Sequence, residues 1–229
     1  MNIVFDNVTY RYHYDNFDVL KNASFNLVNG VNTVLADIQS GKTTICKLLC
    51  KDISATSGQI TIDEVSIASI TDEHLGILYL PQNPTFFERR SVQYNIEYPL
   101  FLRKVPKDVR FKRVNEVANA LGIDFLSTQP FKLTSYERRI VALARGLTVQ
   151  RKAVLFDDFF DVEEQYADVQ SVTRLFPDAT VVVFTSNVNI AMGNVVVLDG
   201  GAVAFCGDAS GAKQAVGNLQ WLTDSLRSN

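Results

Sequence analysis

Apolar and polar residues alternate through the first third of the chain, as in NIVFDNVTYRY, and this period of two predicts strands with one buried face. SFNLVNGVNTVLA sets Asn29-Gly30 between two apolar runs, which predicts a two-residue hairpin turn. SGQITIDEVSI predicts another short hairpin around Asp63-Glu64, and ILYLPQ a strand stopped by Pro81. The period then changes. VPKDVRFKRVNEVANALGI predicts a helix entered near Pro106 and left near Gly122, and a second helix runs from Ser135 to about Leu147. Unbroken apolar runs follow in AVLFDD and TVVVFTS, the form of strands buried on both faces of a parallel sheet. NVVVLDGGAVAFCG predicts a hairpin at Asp199-Gly200-Gly201, and the tail GAKQAVGNLQWLTDSLRSN a last short helix. The predicted architecture is one α/β domain. Residues 1–81 and 148–229 form its core, with antiparallel strands at both ends, and residues 82–147 form an inserted helical subdomain.

Composition narrows the chemistry. The 229 residues suffice for a sizeable core, and a net charge of −3 with no run of Lys and Arg argues against a nucleic-acid surface. Three cysteines, Cys46, Cys50 and Cys206, have no zinc or C-x-x-C spacing. Cys46 and Cys50 fall one helical turn apart and read as small buried apolar residues, which suits a reducing cytosol. The opening MNIVFDNVTYRY lacks the basic and apolar regions of a signal peptide, and no apolar run reaches the ~18 residues of a membrane span. Action at a membrane would need another chain. His13 and His74 form no ligand pair and read as surface residues.

One stretch carries candidate chemistry. In ADIQSGKTTICKLL, the residues Gly41, Lys42 and Thr43 complete the end of the phosphate-loop pattern G-x-x-x-x-G-K-[ST], with Ala36 where the first glycine belongs. In such a loop, backbone N–H groups and a helix N-terminus face the phosphates, the lysine reaches their terminal oxygens, and the hydroxyl holds Mg²⁺. The competing reading is a plain strand-to-helix turn with a lysine on it. Ala36 costs little if its φ is negative and at least ~1 kcal/mol if positive, and Gln39 adds bulk near the phosphates. KAVLFDD supplies a second element: an apolar strand ending in Asp157 and Asp158, the form that places a Mg²⁺-binding carboxylate beside the loop. Loop and strand together indicate a P-loop NTPase.

Taken with these, the remaining segments resemble the ATP-binding cassette (ABC) transporter ATPases over nearly the whole chain. VTYRY resembles their aromatic loop, which implies Tyr12 stacked on adenine, and LPQNP their glutamine loop, which implies Gln82 as a Mg²⁺ and water contact that also senses the membrane partner. LTSYERRIVALARG stands in place of L-S-G-G-Q and the helix after it, DDFFDVEE in place of D-E-P-T-S-A-L-D, and VVVFTSN in place of the switch histidine segment. The helical segment is most similar to sugar-importer ATPases of the maltose type. The resemblance implies Mg²⁺ and ATP held by Ala36, Gln39, Ser40, Gly41, Lys42, Thr43, Thr44 and Asp157 with Tyr12. Thr43, Gln82 and Asp157 would be the metal contacts, and Asp158, Ser186 and Gln82 the catalytic positions.

Several positions depart from the family pattern. Asp158 replaces the general-base glutamate and is one methylene shorter, whereas a base must come within ~2.6–3.2 Å of its water. Ser186 replaces the switch histidine, and Glu164 an aspartate that faces the opposing subunit. Thr134-Ser135-Tyr136-Glu137 replaces the signature that grips the partner's phosphate, and it reads instead as a T-x-x-E capping box, with Tyr136 and Glu137 unfavourable to phosphate. Phe159 and Phe160 pack a dimer face or fill a hole, and Phe86, Phe87 and Tyr94 form either core or a docking groove for membrane subunits. The expected protein is the ATP-binding subunit of a transporter, an importer, with impaired hydrolysis. It would sit peripherally on the cytoplasmic face of the membrane, paired with membrane subunits and a second ATP-binding subunit and with no nucleic acid. The alternative is an inactive ABC-fold pseudoenzyme with a structural or regulatory role.

Overall fold

The computed structural model describes residues 1–14, 16–37, 39–160 and 169–217. Among them the elements are, in chain order, β1 (Ile3–Tyr10), β2 (Leu20–Leu27), β3 (Val31–Ala36), α1 (Lys42–Leu49), β4 (Ser57–Ile62), β5 (Val65–Ser66), α2 (Asp72–Leu75), β6 (Ile77–Pro81), α3 (Val92–Leu102), α4 (Lys107–Ala120), α5 (Ser135–Leu147), β7 (Ala153–Asp157), α6 (Val169–Thr173), β8 (Thr180–Thr185), β9 (Asn194–Asp199), β10 (Ala202–Asp208) and α7 (Ala209–Val216). They divide into two compact units, Met1–Tyr79 with Lys152–Asn229, and Leu80–Arg151.

The first unit is built on two sheets, ordered β2-β1-β4-β5 and β10-β9-β3-β8-β7-β6. The four-stranded sheet is antiparallel, while β3 runs parallel to both β8 and β9, and β7 parallel to β8. Strand β3 is buried on both faces. Val34 and Ala36 join a core with α1 and the antiparallel sheet, whereas Leu35 joins Val195, Val197 and α7. Strands β7 and β8 are buried at every residue, which explains their continuous apolar runs, because each fully buried Val or Phe contributes about 1.5–3 kcal/mol.

The hairpin expected at Asn29-Gly30 does not form. Strand β2 pairs with β1, and β3 enters the other sheet between β8 and β9. A two-residue turn would leave one face of β3 in water; instead the buried Asn32 ties the crossing, accepting from Val28 N–H at 2.8 Å and donating to Val28 O at 2.7 Å. The hairpins at Asp63-Glu64 and Asp199–Gly201 do form, with positive φ at Asp63, Glu64, Gly200 and Gly201. Gly201 packs its Cα against the Val19 carbonyl, where no side chain fits, and its own carbonyl accepts from Lys21 N–H at 2.9 Å. Phe159 and Phe160 fill the core. Their rings lie 5.3 and 5.1 Å from Phe156.

The second unit packs α3, α4 and α5 around Val92, Ile96, Val114, Val117, Val141 and Ala144. Helices α4 and α5 follow the sequence periodicity, with Gly122 at φ 66 just past α4. Helix α3 is an addition that the sequence pattern did not predict, and Pro99 lies inside it. It is secured at its start: Ser91 accepts from Tyr94 N–H, and the buried Asn95 accepts from Phe87 N–H at 2.9 Å and donates to Ser91 O at 2.9 Å. Phe86 and Phe87 part company. Phe86 packs on this core under Arg138 and Arg145, whereas Phe87 is 44% exposed beside Tyr94 and Tyr98.

Candidate functional site

Strand β3 ends at Ala36, and the chain turns through the loop into α1. Ala36 keeps strand geometry, so its missing glycine costs nothing; the left-handed residues are Gln39 at φ 64 and Gly41 at φ 97. A Cβ on Gly41 would lie 2.8 Å from Leu20 Cδ2 and 3.3 Å from the Val19 carbonyl, so only glycine fits. Gly41 caps α1 without a side-chain bond, and the first turn of α1 holds no acidic residue. Among the described residues no side chain caps the leading N–H groups of this helix, and no acid within its own first turn counters the positive end of its dipole.

Lys42 is 5% exposed. Its Nζ donates to the carbonyls of Ala36 at 2.9 Å and Asp37 at 3.1 Å, and lies 3.5 Å from Asp158 Oδ1. The Thr43 hydroxyl donates to Asp157 Oδ2 at 2.9 Å, and the Tyr79 phenol donates to the same oxygen at 2.8 Å. Asp157 Oδ1 is buried and has no hydrogen-bond partner among the described residues. Burial, then the hydrogen bond and charge of Asp157, push the Tyr79 phenol well above its ordinary value, so it stays a proton donor. Asp157 pairs in register with Phe184 of β8, and Asp158 N–H donates to the Phe184 carbonyl at 3.0 Å. Asp158 itself takes φ 47, a conformation that costs a β-carbon residue about 1–2 kcal/mol.

A cavity of about 460 Å³ opens here, lined by Tyr12, Phe17 and Val19 together with Asp37, Gln39, Gly41, Lys42, Thr43, Thr44 and Asp158. Its volume falls within the range of small-molecule sites. The Tyr12 hydroxyl lies 3.2 Å from Thr44 Oγ1, with the Tyr10 ring edge-on at 4.8 Å and Lys47 Nζ 5.7 Å from its centroid. Of the residues expected at the loop, Ala36 and Ser40 contribute through their backbone, Ser40 N–H donating to Asp37 O at 3.3 Å. Ser186 leaves β8 one residue beyond the Leu35–Thr185 pair, half-buried, and does not line the cavity.

Gln82 and the start of α5 belong to the second unit. Gln82 is exposed after β6. Thr134 and Glu137 form a complete capping box: Thr134 N–H donates to Glu137 Oε2 at 2.8 Å and Glu137 N–H to Thr134 Oγ1 at 3.2 Å. Ser135 and Tyr136 open the helix on its exposed side. Glu164, and the tail beyond Gly217, lie outside the described residues.

Sequence reasoning missed Asp37, Phe17, Val19 and Tyr79. Tyr79 had a readable signal, since period two in ILYLPQ puts it on the face of Ile77, and both pack on the core that contains α1. Cys46 is buried and Cys50 half-buried, and burial pushes both thiols up, Cys50 to about 12, which leaves them protonated and inert. His13 and His74 are exposed. Among the described residues no helix is long and apolar enough to cross a membrane.

Comparison with known proteins places this geometry in context. A family model described as ABC transporter matches residues 20–161. The chain is similar to the molybdate/tungstate import ATP-binding protein WtpC of Pyrococcus horikoshii, 34% identical over 158 residues, covering 68% of this chain and 45% of that protein. It is similar also to the sn-glycerol-3-phosphate import ATP-binding protein UgpC of Brucella abortus, 32% identical over 158 residues, covering 68% of this chain and 45% of that protein. The match thus spans less than half the length of these relatives. Among solved structures, a bacterial Atm1-family ABC exporter with ATP bound superposes with a TM-score of 0.82 over 99% of this chain and 42% of that one, at 22% identity, a likeness of fold alone.

Proposed function

This chain belongs to the ABC transporter family, and we propose that it is the ATP-binding subunit of an importer, binding Mg-ATP at the β3–α1 loop and hydrolysing it slowly. The observation that carries the proposal is the cavity over Gly41, Lys42 and Thr43, with Asp157 hydrogen-bonded to Thr43 beside it. The named relatives are import ATP-binding proteins, which supports the importer assignment.

Each residue has a task in this reading. The open first turn of α1 receives phosphate oxygens, and Lys42, buried and already aimed at loop carbonyls, adds a positive charge to them. Thr43 and Asp157 fit a Mg²⁺ ion, because a hydroxyl and a carboxylate with one unpartnered oxygen form the hard oxygen donor set that this cation takes along with phosphates and water. Bound there, Mg²⁺ neutralises charge on the phosphates. Gln82 is the further metal and water contact that the family pattern implies. Tyr12 lines the base end with Phe17.

Three features support slow hydrolysis. Asp158, in the position of the base, is shorter than glutamate and turned toward Lys42. A misplacement of about 1 Å is worth roughly a hundredfold in rate. Ser186, in the position of the switch histidine, brings no positive charge. Glu137 engages the Thr134 N–H that a trans phosphate would use. As partners we propose membrane subunits, received on the exposed Phe101 of α3 and on Phe87, which precedes that helix and packs against its Tyr98, and a second ATP-binding subunit, with the chain at the cytoplasmic face of a membrane.

The second reading is a pseudoenzyme that docks without nucleotide, and the engagement of Lys42 by its own loop and by Asp158 favours it. Calorimetric titration with Mg-ATP separates the two. Saturable binding below millimolar nucleotide supports the first, and no heat at millimolar nucleotide leaves the second. Asp158→Glu combined with Ser186→His is expected to raise turnover, and an unchanged rate would put the main defect at the start of α5 or in a missing partner.

A further inference from the structure

We infer that Tyr79 is a positioning residue for the divalent cation of this site, holding the Asp157 carboxylate by Oδ2 so that Oδ1 is the oxygen left for the cation and its water shell; the inference rests on the Mg-ATP reading above.

Asp157 is 4% exposed, yet its two oxygens are treated differently. Oδ2 accepts from both the Thr43 hydroxyl, at 2.9 Å, and the Tyr79 phenol, at 2.8 Å, whereas Oδ1 accepts from no described residue. Buried carboxylate oxygens are rarely left so, and the arrangement fits an acceptor kept for a ligand. Two donors on one oxygen also stop the carboxylate from rotating about its Cβ–Cγ bond, as partners beyond the direct ligands commonly do at metal sites.

The kind of donor matters as much as its place. A lysine or arginine at this point would neutralise Asp157 and compete with a cation. A phenol orients the carboxylate while leaving its full negative charge. Packing does not require the hydroxyl, because the ring of Tyr79 shares its face of β6 with Ile77 against the core around α1. Thr43 stands in the first turn of α1, beside the loop, so it must serve both the carboxylate and the cation; Tyr79 comes from β6 and serves the carboxylate alone.

The test uses the full chain and its Tyr79→Phe variant, with ATP binding followed by calorimetry or by a fluorescent ATP analogue while MgCl₂ is varied. Loss of the phenol is expected to raise the Mg²⁺ concentration for half-maximal enhancement of binding by about 10-fold, the usual size for a partner of a metal ligand. Nucleotide affinity in EDTA is expected to move less than about twofold, since the phenol touches no phosphate-binding group. An unchanged Mg²⁺ dependence with a lowered Tm assigns Tyr79 a structural role and overturns the inference, as does a lowered half-maximal Mg²⁺ concentration, which would make the phenol a competitor. If the parent chain binds nucleotide with no Mg²⁺ dependence, the inference falls while nucleotide binding stands; if it binds none, both fall. Tyr79→Met, an apolar filler without the hydroxyl, gives the same reading should the Phe variant not fold.

Discussion

Helices α1 and α5 begin in opposite ways. The first is capped by Gly41 with no side-chain bond, has Lys42 as its first residue, and has no acid in its first turn. The second is closed by Thr134 and Glu137, which satisfy each other's backbone N–H and set a negative charge against the helix dipole. Every helix starts with unsatisfied donors, and these two treat them differently: α1 leaves them without a side-chain cap, and α5 uses its own side chains to satisfy them. The difference rests on a few side chains rather than on the fold. An ABC cassette that only holds nucleotide and one that also completes a partner's site could therefore share one backbone, and the proposed slow turnover of this chain draws on that difference.

The contrast can be broken at its sharpest point by Gly41→Ala. With φ at 97 and Leu20 Cδ2 2.8 Å from the new methyl, the variant should lose about 3 kcal/mol of stability, read from urea unfolding. A urea midpoint unchanged from the parent would mean that the loop is free to rearrange. Lys42→Met removes the positive charge while keeping the stem. ATP should then bind about 10- to 100-fold more weakly by calorimetry, the range for a charge-assisted hydrogen bond, and equal affinity would remove the lysine from the site. At the other helix, Thr134→Ala should cost about 1 kcal/mol by thermal unfolding and leave ATP affinity unaltered; weaker binding would show that α5 does more than cap itself. The smallest effect is expected from Gln39→Gly, which relieves the left-handed strain at φ 64 but adds chain entropy, for a net gain of about 0.5 kcal/mol in the same unfolding assay. A loss there would mean that the Gln39 side chain makes a contact worth more than its strain.

Much of this was written in local pattern. The double-sided strands β7 and β8, the two helices α4 and α5, the turns at Asp63-Glu64 and Gly200-Gly201 and the capping box all follow from near neighbours in sequence. What failed was non-local. Asn29-Gly30 has the residues of a hairpin, but sheet membership is decided by what covers β3 on its second face. Helix α3 was missed, because the contacts that secure its start come from Ser91 and Asn95 rather than from its periodicity. At the site, Lys42, Thr43 and Asp157 were legible as a motif. The Lys42–Asp158 contact and the Tyr79–Asp157 bond join residues far apart in the chain, and no spacing rule reaches them.

One joint ties the cavity to a turn remote in sequence. The Val19–Lys21 segment touches Gly41 through the Val19 carbonyl and the Leu20 side chain, and it touches Gly201 through the same carbonyl and through Lys21 N–H. Neither glycine can carry a methyl group there, so the segment has no slack on either flank. Filling the loop is therefore expected to be felt at the β9–β10 turn. The amide of Lys21, bonded to Gly201, becomes a built-in reporter of occupancy: its exchange with deuterium should slow when the loop is filled, although it makes no contact with phosphate.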